Sequence, residues 1–154
     1  MRTSSFICAA ALALAACSPP AATTNVPPAP TPPAFVVGDL GDNDGAIQGC
    51  TTMLQRKGAQ PGADVFRAAG GDHDAQGFMR IDGALVTLTL VSANITEQGG
   101  TRTFSDATHA TQVLETLTTG ATHEEADSVE QSGTLTITRN GGTQTIAVEG
   151  GTAC

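Results

Sequence analysis

Gly133-Thr134-Leu135-Thr136-Ile137-Thr138-Arg139-Asn140-Gly141-Gly142-Thr143-Gln144-Thr145-Ile146-Ala147-Val148 decides the fold class. Apolar and hydroxyl residues alternate with a period of two on either side of a glycine pair, the pattern of a β-hairpin with one buried and one wetted face. Placing Gly141-Gly142 in the turn sets Ile137 opposite Ile146 and Leu135 opposite Val148 on one face. Thr134, Thr136 and Thr138 then point the other way.

The same grammar repeats toward the N-terminus. Asp82-Gly83 reads as a second hairpin turn, with Phe78 to Ile81 running in and Ala84 to Val91 running out. The outgoing arm puts Val86, Leu88 and Leu90 on one face and Thr87 and Thr89 on the other, as a half-buried antiparallel strand requires. Further strands are expected over Ala46 to Gln55, Asp64 to Ala69, Thr101 to Asp106 and Gln112 to Thr119. In the last, Ala107, Ala110, Val113, Leu114 and Leu117 also fit a helical stripe with Ser105 as N-cap. The threonines at 108, 111, 116, 118 and 119 tip it to strand, because β-branched side chains lose rotamer freedom in a helix. The expectation is an all-β domain, a compact antiparallel barrel or sandwich of about seven or eight short strands, over residues 35–154. About 120 residues suffice for a single core. Phe35, Phe66, Phe78 and Phe104 are candidates to fill it.

The N-terminus carries a different signal. Arg2 precedes an apolar run from Phe6 to Ala16 that is shorter than the roughly 20 residues a permanent membrane helix needs. The run ends in Leu14-Ala15-Ala16-Cys17, which resembles, residue by residue, the lipobox of bacterial lipoproteins. The resemblance covers the signal only. It implies a signal peptide over residues 1–16 and a Cys17 that becomes the acylated first residue of the mature chain, anchoring it to membrane. Ser18, in place of Asp, implies sorting to the outer membrane of a Gram-negative envelope, on the inner leaflet facing the periplasm. The alternative is an ordinary signal cleaved near Ala16 without lipid.

Under the same resemblance Cys8 leaves with the signal and Cys17 takes the lipid, so Cys50 and Cys154 remain. In an oxidising envelope their disulfide is implied. A metal or redox couple would call for a CxxC spacing or a nearby ligand cluster, and neither is present. Between lipid and domain, residues 17–34 hold seven of the eight prolines among Ala and Thr. Such a stretch lacks the donors for helix or sheet and reads as an extended, solvated tether. At about 3.1 Å per residue it reaches on the order of 50 Å.

Composition narrows the partners. The formal charge is −8, and it becomes −9 once Arg2 departs with the signal, since all acidic residues lie beyond it. That field repels nucleic acid and anionic headgroups and is compatible with a basic protein partner, or simply with solubility. The chain has no Trp and no Tyr, so the aromatic platforms that stack sugars and bases are absent.

Catalytic and metal motifs are sparse. There is no GxSxG elbow and no His-Glu-x-x-His. Asp72-His73-Asp74 is a candidate ligand or proton-transfer cluster, although three adjacent residues more often form a solvated turn. His123-Glu124-Glu125 reads the same way, and His109 stands alone. Asp39, Asp42 and Asp44 precede Gly45 like the start of a calcium loop. In that register Leu40 takes the first ligand position and Thr51 the twelfth, where an EF-hand needs carboxylates, so the plainer reading is a flexible lead-in loop. Asn94-Ile95-Thr96 matches glycosylation spacing by chance. No residue pattern calls for a cofactor.

These readings favour a non-catalytic envelope protein that binds a protein partner or has a structural role. In size, charge and architecture the chain resembles the small disulfide-bonded β-barrel lipoproteins that inhibit lysozyme, whose characteristic motif uses the Tyr and Trp lacking here. The other class is a small-ligand-binding barrel, or a minor hydrolase built on Asp72, His73 or His109. It requires those side chains to converge at a pocket on one end of the barrel.

Overall fold

The computed structural model describes residues 34–154. The expected signal peptide, the lipidation expected at Cys17 and the expected tether, all up to residue 33, lie outside the described residues. Nine strands form: β1 Val37–Gly38, β2 Thr51–Arg56, β3 Asp64–Ala69, β4 Gln76–Ile81, β5 Ala84–Thr96, β6 Gly99–Ser105, β7 Thr111–His123, β8 Ser128–Arg139 and β9 Gly142–Ala153. A three-residue 3-10 turn at Glu124–Ala126 is the only helical piece among the described residues. None there is long and apolar enough to cross a membrane.

Eight of the strands close into an antiparallel barrel in the order β4-β3-β2-β9-β8-β7-β6-β5, with β5 pairing back to β4. The closing β4–β5 ladder covers Ala84 to Thr89, and the upper half of β5 beyond it pairs with β6 alone. Four strands, β5 and β7 to β9, run 12 or 13 residues, longer than the short strands expected. The weak seam is β3 to β4, where only Arg67 to Phe78 and Ala68 to Gly77 pair. Beyond it β1 pairs with β4 instead, at Val37 to Ile81. Arg56 Nη2 donates to Val37 O across the gap. Phe35 and Val37, both buried, thereby close that end of the barrel.

The β8–β9 hairpin turns at Asn140-Gly141, one residue earlier than the glycine pair suggested. Asn140 has φ 49° and Gly141 φ 82°. A two-residue type I′ turn needs positive φ at both centres, and Asn-Gly meets that need better than Gly-Gly followed by a strand. Leu135 therefore faces Ile146, Ile137 faces Gln144 and Gly133 faces Val148. The slip is two residues in pairing, so every side chain keeps its face. Outside, Thr136 bonds Thr145 and Thr138 bonds Thr143, each hydroxyl pair at 3.2 Å. Gly133 is required by proximity, because a Cβ there would lie 1.9 Å from Thr116 O and push β7 off β8.

Asp64–Ala69 and the Asp82-Gly83 turn agree with the sequence reading residue for residue. Residues 111–123 are strand, and Ser105 is no helix cap. Its hydroxyl bonds Asp106 O and His109 Nδ1 in the turn that reverses the chain. The Asp106 carboxylate there accepts from Thr108 N–H, Thr108 Oγ and Ala110 N–H, an Asx-type turn that competes with helix. The strand expected from Ala46 begins only at Thr51. The preceding loop is held on the outer wall by Asp44 and so cannot join the ladder.

Inside, Leu54, Phe66, Met79, Ile81, Leu88, Phe104, Val113, Leu135, Ile137 and Val148 are fully buried. Phe66 and Phe104 meet edge to face at 5.3 Å. Phe78 faces outward instead, under the Asp44 loop, where it lies against Gly45. The barrel is thus packed with apolar side chains toward the β1 end and turns polar toward the other.

Candidate functional site

The open end is built by alternation. On β6, Phe104 points inward, so Arg102 two residues earlier does too. On β7, Val113 and Leu117 point inward, so Glu115 between them follows. The register places Arg102 directly opposite Glu115. Their side chains are 5% and 3% exposed. Arg102 Nε donates to Glu115 Oε1 at 2.6 Å and Nη2 to Oε2 at 2.9 Å, a bidentate pair. Nη1 donates to Ala69 O at 2.9 Å and to Gly71 O at 3.3 Å, and Nη2 also reaches Thr52 Oγ at 3.3 Å. The guanidinium carbon lies 5.2 Å from the centre of the Phe104 ring, an added cation–π contact.

The network continues around the wall. Thr52 Oγ bonds Thr152 Oγ at 2.7 Å, and Thr152 Oγ donates to Gln131 Oε1 at 3.0 Å. Five strands, β7, β6, β2, β9 and β8, are thereby tied at one level. Above this floor opens a cavity of about 380 Å³, with Ile95, Leu117 and Val129 as apolar walls and Asp72 on its border. Ile95 reaches it because a bulge between Leu90 and Ser92 shifts the phase of β5, bringing Ala93 opposite Arg102 and Ile95 opposite Gly100. The size falls in the range of small-ligand pockets, roughly 300–1,000 Å³. Cys50 and Cys154, flanking the Thr51 to Ala153 pair at this same end, are joined in a disulfide.

Most of the residues singled out in the sequence lie elsewhere. Asp72 and His73 are exposed in the β3–β4 loop, with His73 Nε2 3.3 Å from Asp72 Oδ1. With Asp74 they border a separate depression beside Leu90, Val91 and Ser92, and only Asp72 touches the main cavity. His109 sits in the β6–β7 turn at the closed end. The convergence that hydrolysis would need is therefore not present. His123 pairs with Glu130 at 3.0 Å on the outer wall.

Asp39 and Asp42 are exposed and Asp44 is buried. Asp44 accepts from Arg80 Nε and Nη2 and from Gly41 N–H, while its own carbonyl takes Arg67 Nη1. Its oxygens are thus engaged by donors, and the lead-in loop is pinned rather than free. Among the described residues no three His, Cys, Asp or Glu side chains group as a metal site.

The hydrogen bonds from Arg80, with that from Gly41, hold the Asp44 carboxyl below its ordinary 3.8 against the opposing effect of burial. At Asp106 burial is the largest single effect and works upward, but the hydrogen bonds from Thr108, Thr111 and Ala110 together hold the carboxyl below its ordinary value. A carboxylate with a depressed folded pKa stabilises the fold above its unfolded pKa, and that contribution is lost as pH falls through the folded value. Thermal melts should therefore weaken from about pH 4 downward. An Asp44→Asn variant should melt lower than the natural chain at neutral pH and lose less on acidification. Equal acid slopes for the two proteins would contradict the assignment.

Arg102 and Glu115 were not singled out from sequence, because charged residues within a strand ordinarily read as its solvent side. The signal was the phase: each sits two residues from an apolar position that the core claims. In comparisons with known proteins, the chain matches no family model, no curated protein and no solved structure.

Proposed function

We propose that the chain is a lipoprotein of the bacterial envelope, anchored through Cys17, whose non-catalytic barrel binds an envelope partner through its open end. The observation that supports this reading is polarity of the barrel itself. One end is filled by Phe35 and Val37, and the other opens on the Arg102–Glu115 floor. The chain reaches the domain at the filled end, where Ala34 lies against Gly142 beside the β8–β9 turn. The acidic charge favours a basic partner.

The anchor is tested by Cys17→Ser, which is expected to move the protein from the membrane fraction to the soluble periplasmic fraction. Retention on membranes would remove the anchor from the reading. The binding end is tested by in-cell photocrosslinking from Thr119, on the rim, and from Thr138, on the outer wall near the filled end. A recurrent partner captured from Thr119 and not from Thr138 is the expected result. Capture from both alike, or from neither, would count against an open-end interface.

A further inference from the structure

The cavity at the open end selects more narrowly by chemistry than by size. Arg102 is its only cationic lining residue, and all five guanidinium N–H groups are committed, to Glu115, Ala69 O, Gly71 O and Thr52. An anion entering the cavity finds no free cationic donor there, since every guanidinium N–H is already taken. A cation is no better served at the floor, where Arg102 and Glu115 cancel, and Asp72 lies only at the border with its side chain exposed to solvent. What remains is acceptor capacity on Glu115, each of whose oxygens takes one N–H from Arg102 while a carboxylate offers about four lone-pair sites. Nearer the rim, the Gln131 oxygen is taken by Thr152, so Gln131 Nε2 is a donor without a partner among the described residues. Ile95, Leu117 and Val129 supply the apolar wall.

Resting on the binding-barrel reading, we infer that the cavity takes a short uncharged amide. Its N–H leads toward Glu115, a small aliphatic group lies against Ile95, Leu117 and Val129, and a carbonyl near the rim accepts from Gln131. Such a group belongs either to a free peptide-like molecule or to an Asn- or Gln-bearing loop of a protein partner.

The test titrates ¹⁵N-labelled full chain carrying Cys17→Ser with three near-isosteric probes: N-acetylvalinamide, neutral; N-acetylvaline, anionic; and valinamide, cationic. The neutral probe is expected to shift the backbone amides of Gly71, Gly99, Gly100 and Gln131, with the charged probes at least tenfold weaker. Gln131→Leu, on the rim and away from the buried pair, should keep the spectrum of a folded barrel and weaken the neutral probe by about tenfold. Binding of N-acetylvaline or valinamide as tight as that of N-acetylvalinamide, or no shifts at the open end, would overturn the inference. Neither result touches the Thr119 crosslink, which judges the binding-barrel reading separately. If the neutral probe binds, adding it in excess to the crosslinking reaction separates the two sources: loss of the captured partner assigns the amide to that protein, and an undiminished crosslink assigns it to a free molecule.

Discussion

Glu115→Leu is expected to destabilise the domain by about 3–5 kcal/mol, because it strands the Arg102 guanidinium, 5% exposed, without its counter-charge. Against a total stability on the order of 5–15 kcal/mol for a domain, that loss brings the barrel near unfolding at physiological temperature. Thermal and urea melts measure it directly. The informative comparison is Arg102→Met with Glu115→Leu together. Replacing a whole buried ion pair by apolar side chains of similar volume is often neutral or stabilising, since two desolvation penalties vanish along with the attraction. The double variant should therefore recover most of the stability lost in the single one. The Gly71 carbonyl that Arg102 occupied lies at the border of the cavity, where water can replace the guanidinium. Thr52 keeps its bond to Thr152. A double variant as unstable as the single one would mean that the pair is chiefly a structural tie between β6 and β7. Recovery would mean that an apolar interior was available to the fold and that the ion pair stands at the open end for another reason, as a binding floor requires.

Why that pair escaped a reading of the sequence, while the barrel did not, follows from how information is carried along a strand. Alternation is local, so Leu135 and Ile137 or Val86, Leu88 and Leu90 announce their shared face within a few residues. The Asp82-Gly83 turn announces its register because its two residues alone meet the dihedral demands of the hairpin. Asn140-Gly141-Gly142 offers two overlapping turn dipeptides, and the wrong one displaces pairing by two without disturbing any face. Nothing local distinguishes Arg102 from a solvent-facing charge. Its meaning arises only when Phe104 fixes the phase of β6 and the β6–β7 register brings Glu115 opposite. Asp72-His73-Asp74 shows the converse: adjacency in sequence suggested a cluster, but neighbouring residues of a turn diverge, and only Asp72 reaches the cavity border. The Asp44 loop was similarly opaque, since its partners Arg67 and Arg80 come from strands 23 and 36 residues away.

Removing the Cys50–Cys154 bridge should cost about 4 kcal/mol and lower the melting temperature by about 15 °C, while leaving the native barrel in place. The magnitude follows from a sequence separation of 104, since a cross-link over so long a loop removes much of the freedom of the unfolded chain. The native state changes little because the ladder already holds both flanks: Thr51 pairs with Ala153 and Thr52 with Thr152, and Cys154 N–H donates to Asp127 O. Local consequences should concentrate at the open end. Gly70 N–H donates to Cys50 O at 2.7 Å, and Gly71 O takes Arg102, so freeing Cys50 loosens the loop that borders the cavity. A Cys50→Ser, Cys154→Ser variant should accordingly show unaltered amide shifts for the Phe66 and Phe104 core and faster hydrogen exchange at Gly70 and Cys154. Loss of the core spectrum would mean that the bridge organises the native barrel as well as restricting the unfolded chain. An unchanged melting temperature would mean that the chain-entropy term is offset by strain that the bridge imposes on the closed ladder.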